Sequence, residues 1–252
     1  MSRKPTSVTE SKSFYLRQGA DHGQHQRVDG RGDRRAARAR QGHRGGVAAT
    51  RRGQGVRHGA STQAQRRPSR VVSVELDVTK PDSVAALAIT ASDVDIVINN
   101  AGILGAPKLL SSDIDEVRAV FETNYFGTLR VAKAFAPILA DNGGGALVDI
   151  HSILSWLPGF GGYGASKAAF WSATNSLRIE LEKQGTLVTG VHLSYTDTDM
   201  TTGFDVPKND AVQVAREIVD GIERGDAEVL VDDDTRYVKS ALSGPVEALR
   251  LG

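Results

Sequence analysis

Val94-Asp95-Ile96-Val97-Ile98-Asn99-Asn100-Ala101-Gly102 is a β-branched, apolar run that stops on two amides, an alanine and a glycine. A run this short and this apolar reads as a buried strand over Val94–Asn99. The small residues at its end let a ligand approach the backbone. Similar runs flank it on both sides. Val71–Leu76 reads as a strand closed by Asp77-Val78, Ala146–Ile150 as a strand ending beside Ser152, and Leu187–Leu193 as a strand followed by Thr196-Asp197-Thr198-Asp199-Met200. Between them lie stretches of helical apolar periodicity at Pro81–Thr90, Asp113–Leu139 and Tyr163–Lys183. Strands alternating with helices at this spacing predict an α/β fold with a parallel, doubly wound sheet. Such sheets bind ligands at the carboxyl ends of their strands. The polar residues of these stretches fall at those ends or on the helix that follows.

Two of them carry acid–base chemistry. Tyr163 and Lys167 stand four apart in Tyr-Gly-Ala-Ser-Lys, and Ser152 lies eleven residues upstream. On a helix, that spacing puts phenol and ammonium on one face, one turn apart. A phenol titrates near 10 and is a poor proton donor or acceptor at neutral pH. An ammonium ~4 Å away, at an effective dielectric near 20, is worth about 4 kcal/mol toward the phenolate. The expectation is therefore a Tyr163 pKa drawn down by Lys167. Alone, the Tyr-x-x-x-Lys spacing also suits any solvated helix face. Asp77 has the alternative of a strand-end cap, and Ser155 rivals Ser152 but lies only eight residues before Tyr163. Asn124 is unfavourable inside a helical pattern, which points to a purpose other than helix formation. Trp156, Phe160 and the glycines of Pro158-Gly159-Phe160-Gly161-Gly162 are expected to form a mobile apolar rim. Trp171 is expected in the core or at an interface, and His151 is given no role.

As an ordered set, Asp77-Val78, Asn99-Asn100-Ala101-Gly102, Asn124, Ser152, Tyr163-x-x-x-Lys167 and the Thr198 region resemble the classical short-chain dehydrogenase/reductase family over about residues 71–240. The resemblance implies a Rossmann-type domain and an oxidoreductase that uses NADP or NAD to interconvert a carbonyl and a secondary alcohol. It implies that Tyr163 moves the proton, Ser152 hydrogen-bonds the substrate oxygen, and Lys167 both lowers the Tyr163 pKa and holds the nicotinamide ribose. Asn124 would carry a water linking Lys167 to solvent. Asp77, Val78, Asn100, Ala101, Gly102 and Thr198 would join Tyr163 and Lys167 in binding the cofactor. The resemblance further implies a cytoplasmic homodimer or homotetramer acting on a small-molecule carbonyl or alcohol. Leu193-Ser194 departs from the family's Pro-Gly.

The larger departure is residues 17–70, read as a disturbed segment preceding a body at 71–252. This segment holds fourteen Arg, ten Gly and four His, with three Val as its large apolar residues and no Lys. Such a composition buries too little apolar surface to offset its ordering entropy. A Rossmann domain should instead open with an apolar strand and a glycine-rich turn. Read one base later, the codons of Gly19-Ala20-Asp21-His22-Gly23 allow Val-Leu-Ile-Thr-Gly, so the segment reads as a frameshift from about Arg17 to before Val71. Charge divides at the same place, +11 over residues 17–70 and −12 over residues 71–252, within a net charge of +1. Arg51, if in frame, would favour the 2′-phosphate of NADP. Loss of the first strand is expected to leave the strand at Val94–Asn99 short of a neighbour.

Length and apolar content suit one α/β body. The absence of cysteine excludes disulfides and thiolate metal sites. No stretch of 18 apolar residues or secretory leader is expected, and no metal cluster. The basic block invites a polyanion-binding arm as an alternative, but it lacks aromatic interleaving, and no nucleic acid or membrane is expected as partner. A second alternative is a pseudoenzyme without a phosphate loop.

Overall fold

The computed structural model describes residues 14–16, 50–51, 54–56 and 71–249. Strand β1 (Phe14–Leu16) joins the main sheet, while β2 (Thr50–Arg51), β3 (Gln54–Val56) and β4 (Val71–Val72) make a small second one. Then follow α1 (Pro81–Thr90), β5 (Ile96–Asn99) and α2 (Ile114–Phe121). A π-helical turn, Glu122–Gly127, runs on into α3 (Thr128–Asp141). The chain continues through β6 (Ala146–Ile150), α4 (Gly161–Glu180) and β7 (Leu187–His192). It closes with α5 (Ala211–Arg224), β8 (Glu228–Leu230) and α6 (Asp233–Ala241).

The main sheet has the order β1-β5-β6-β7-β8, and β5 through β8 are parallel. Every residue of β5 and β6 is buried. Alternation explains why. Val97 and Leu147 enter a core with Val84, Leu87, Val131, Phe135 and Leu139 from α1 and α3. Ile96, Ile98, Ala146, Val148 and Ile150 enter a second core with Val191, Val229 and partly buried Ile218 and Ile222 of α5. Both faces are covered, the usual condition of a parallel sheet. The α/β architecture read from the sequence is therefore present.

Two expectations fail. The run at Val71–Leu76 forms a ladder only at Val71–Val72, pairing with β3 rather than with the main sheet. Leu76 and Val78 still enter the core, with Val74 partly buried against it, so the side chains keep the strand period while the backbone leaves the ladder. The strand at Ile96–Asn99 also has a neighbour on its outer side. Phe14 pairs with Ile98 and Leu16 with Ile96, antiparallel, as edge strands on parallel sheets often do. The glycine-turn and frameshift readings of residues 17–70 lie outside the described residues, the two short strands excepted. Sequence reading also missed β8, whose three residues carry little periodic signal. Among the described residues no helix is long and apolar enough to cross a membrane.

Candidate active site

The carboxyl ends of β5 and β6 face the start of α4, and this is where the predicted residues meet. Ser152 follows β6 with extended backbone and caps a short 3-10 turn, its hydroxyl accepting from Leu154 N at 3.2 Å. Tyr163 and Lys167 project from the first turns of α4. Gly162 N donates to Ala106 O at 2.8 Å, tying that helix start to the loop after β5. Gly161 has φ +47, and a Cβ there would collide with Ala106 O, so glycine is required.

Asn124 lies in the π-helical turn and is fully buried. Its Oδ1 accepts from Ile103 N at 2.8 Å, while its Nδ2 donates to Ile103 O at 3.1 Å and to Ser166 Oγ at 3.0 Å. Ser166 Oγ in turn donates to Tyr163 O at 2.7 Å. One amide thus braces the loop after β5 against the helix that carries Tyr163 and Lys167. A π-turn inserted at such a point is a common companion of functional sites.

Lys167 is 5 % exposed, and its Nζ donates to Ile150 O at 2.8 Å. It sits 5.9 Å from the centroid of the Tyr163 ring. Burial lowers its pKa to about 8, and the charge of Asp149 acts in the opposite direction. Asp149, which sequence reading missed, is fully buried beneath the site. Its carboxylate accepts from Asn99 Nδ2 at 2.9 Å and Thr174 Oγ1 at 2.6 Å. Burial nevertheless raises its pKa, with those two hydrogen bonds, Lys167 and Arg178 opposing. The available signal was an acid inside the otherwise apolar strand Ala-Leu-Val-Asp-Ile.

The expected depression of the Tyr163 pKa is not found. Burial pushes it up to about 12, and only a hydrogen bond with Ser152 works against that. The geometry gives the reason: the Lys167 ammonium is committed to Ile150 O and approaches the face of the phenol ring.

Gly102 borders the same space. A Cβ on it would lie 3.4 Å from Asn124 Oδ1 and 3.7 Å from Lys167 Nζ, so its lack of a side chain keeps open a cradle between these two polar groups. Asn100 and Ala101 precede it at the end of β5, Ala101 buried. The other predicted residues lie apart from this cluster. Asp77 Oδ1 accepts from Thr79 N at 2.9 Å and Thr79 Oγ1 at 2.7 Å, a turn leading into α1. Val78 is buried against Gly127, where an added Cβ would clash with it. Thr198 opens a short 3-10 turn, its N–H donating to Thr201 Oγ1 at 3.3 Å.

Trp156 is not a mobile rim residue. It is buried, stacked on His192 with ring centroids 3.9 Å apart and packed edge-on against Trp171. His151 stacks on the other side of His192 at 4.8 Å, and burial, then the charges of His192, Lys167 and Arg178, hold its pKa well below the ordinary range. Trp171 is partly buried in the same cluster. The rings behind the site are core.

Residues 35–208 match the family model of the short chain dehydrogenases. A 1-deoxy-11-beta-hydroxypentalenate dehydrogenase of Streptomyces avermitilis is 39% identical over 148 residues, 55% of this chain and 55% of that protein. The match thus spans about half the length of that relative. Among solved structures, a short chain dehydrogenase from Burkholderia cenocepacia in complex with NADP superimposes with a TM-score of 0.69 and 32% identity, covering 82% of this chain and 86% of that one. A short-chain dehydrogenase from Sphingobium yanoikuyae in complex with NADPH gives a TM-score of 0.61 at 26% identity, over 69% and 72% of the two chains.

Proposed function

Since the chain belongs to the short chain dehydrogenase family, we propose that it interconverts a carbonyl and a secondary alcohol, with Tyr163 as proton donor and acceptor and NADP(H), in preference to NAD(H), as hydride carrier. The observation that carries this reading is the meeting of Ser152, Tyr163 and Lys167 beside the open cradle at Gly102. The cradle and its flanking amide and ammonium suit the ribose and nicotinamide side of a dinucleotide. The bound cofactor would supply or accept the hydride.

The chain's own residues supply the rest. With Tyr163 near 12 and Lys167 near 8, the neutral-pH site holds a protonated phenol beside a cation. That is the state that donates a proton to a carbonyl oxygen. Ser152 orients this oxygen and shares a hydrogen bond with the phenol. The reverse reaction needs the phenolate, so alcohol oxidation rises with pH while carbonyl reduction does not. Lys167 and Gly102 would hold the cofactor side, and Asn100 and Ala101 would extend that binding surface. Asp77, Val78 and Thr198 would contact the cofactor farther out, and Asn124 would link Lys167 to solvent through a water. Both cofactor-bound neighbours named above carry the phosphorylated dinucleotide, which supports the NADP preference. The active assembly is a cytoplasmic homodimer or homotetramer with a small-molecule substrate.

The test is a cofactor titration alongside turnover of ketones and secondary alcohols. NADPH binding with carbonyl-dependent oxidation supports the reading. A folded chain that binds neither NADPH nor NADH contradicts it, and would favour the pseudoenzyme suggested by the composition of residues 17–70.

A further inference from the structure

Three contiguous aromatic rings, the first of them packed with Tyr163, have no role in the chemistry above. Phe160 packs with Leu154, Ile103 and Tyr163 in one apolar cluster. Its backbone is left-handed, φ 51, and Ala106 beside that helix start is also left-handed, φ 48. Residues with a Cβ keep such backbone only where their surroundings over-determine it, and they gather at functional sites. The Phe160 ring lies 5.9 Å from that of Phe204, tilted by 55°, and Phe204 lies 5.3 Å from Tyr195, tilted by 47°. All three side chains are only partly buried. They form a continuous row that Phe160 joins to Tyr163.

Phe204 belongs to a loop closed on itself like a small Ω. Its neck is made by Asn209 N donating to Tyr195 O at 2.8 Å and Asp197 N donating to Asn209 O at 2.9 Å. The Asp232 carboxylate grips that neck. One oxygen accepts from Ser194 N and Ser194 Oγ, each at 2.8 Å, and from Asn209 Nδ2 at 2.7 Å. The other accepts from Thr235 N at 2.9 Å, at the start of α6. Ile153 N donates to Leu193 O at 2.9 Å, which ties the neck to the segment holding Ser152. The loop is therefore registered to the reacting side chains rather than loosely attached.

Resting on the carbonyl–alcohol assignment of Ser152 and Tyr163, we propose that Phe160, Tyr195 and Phe204 form an aromatic wall selecting ring-bearing, apolar ketones and secondary alcohols over short acyclic ones, with Asp232 as the residue that positions the loop. Phe160 and Phe204 offer no hydrogen-bonding group, so a substrate finds its polar anchor at Ser152 and Tyr163 and its apolar remainder against the rings. Flat or fused rings meet tilted aromatic faces over a large area. A short chain leaves those faces wet.

The test is calorimetric titration of the full chain with a bicyclic aromatic ketone and with a straight-chain ketone of equal carbon number. The bicyclic ketone should bind at least about tenfold tighter. Phe204→Ala should abolish that ratio, and Phe204→Leu should reduce it. Asp232→Ala should lower the ratio, with partial rescue by Asp232→Asn, which still offers an acceptor to Ser194. General destabilisation would weaken both ketones alike and leave the ratio unmoved. Equal affinities in the parent, no binding of either ketone, or an unchanged ratio in folded Phe204→Ala overturns the proposal. Because the readout is binding, a chain that prefers the ring ketone yet never oxidises NADPH refutes the redox reading and leaves the aromatic wall standing.

Discussion

Lys167 serves two opposed demands, and its measurable properties follow from them. Burial drops its pKa to about 8 from 10.5. Between those values the unfolded chain binds a proton that the folded chain does not, so folded stability rises with pH across that window. Measured as the melting temperature relative to Lys167→Met, the deficit of the parent should shrink from about pH 8 to 10; a flat difference would contradict the assigned burial. The same variant should lose both cofactor affinity and turnover, since one side chain is asked to serve both. Gly102→Ala separates the tasks. Its Cβ meets Asn124 and Lys167 only at ordinary contact distance, so the melting temperature should hold. Cofactor affinity should fall about tenfold or more, as filling a cradle of matched shape does; unchanged affinity would mean that the cradle holds nothing. Ser152, Tyr163 and Lys167 were legible in the sequence because a chemical pair at helical spacing has few other readings beside such strand ends. The direction of the Tyr163 pKa was not, because spacing fixes which face a lysine shares but not which oxygen its ammonium chooses.

At the scale of elements, β6 and α1 match their sequence-read limits residue for residue, Ala146–Ile150 and Pro81–Thr90. An apolar run with both faces buried, and a proline at a helix start, are strong local signals. The stretch read as one helix over Asp113–Leu139 is instead broken by the π-helical turn. That break comes from tertiary demand, the bonds of Asn124 to Ile103 and Ser166. Asn124→Ala leaves Ile103 N and its carbonyl without their partner inside the core, a loss of about 1–3 kcal/mol per unsatisfied group. Chemical denaturation should show a loss of that size; one below about 0.5 kcal/mol, the usual surface effect, would show that the brace is dispensable. The Asp232 neck has its own pH signature. Burial alone would raise this carboxyl, but the backbone bonds from Ser194 and Thr235, with the side chains of Asn209 and Ser194, outweigh it and hold the pKa below 3.8. Its stabilising contribution is full above the ordinary carboxylate value and is lost as pH falls through the depressed one. The stability advantage of the parent over Asp232→Asn should therefore vanish in strong acid and be constant near neutrality. The grip of Asp232 on the loop neck escaped sequence reading because its partners Ser194 and Asn209 lie far along the chain, with no periodicity to announce them.

For the whole molecule, an acidic body follows a basic segment, −12 against +11. Residues 71–249 place helices on both faces of a parallel sheet, while the frameshift expectation for residues 17–70 comes from composition and codons. The family match begins at residue 35 and so enters the basic segment. Intact-mass measurement of the native protein, with the nucleotide sequence across codons 17–71, decides whether that segment is translated as written. The central claim is that Tyr163 moves the proton in a nicotinamide-dependent carbonyl–alcohol reaction. Its most direct test is carbonyl-dependent oxidation of NADPH by the native protein and by its Tyr163→Phe variant, with the NADPH dissociation constant of each. Turnover should fall by about 10²–10⁴ in the variant, with NADPH affinity largely kept. A variant that turns over within about tenfold of its parent would contradict it, since general acid–base groups contribute more than that.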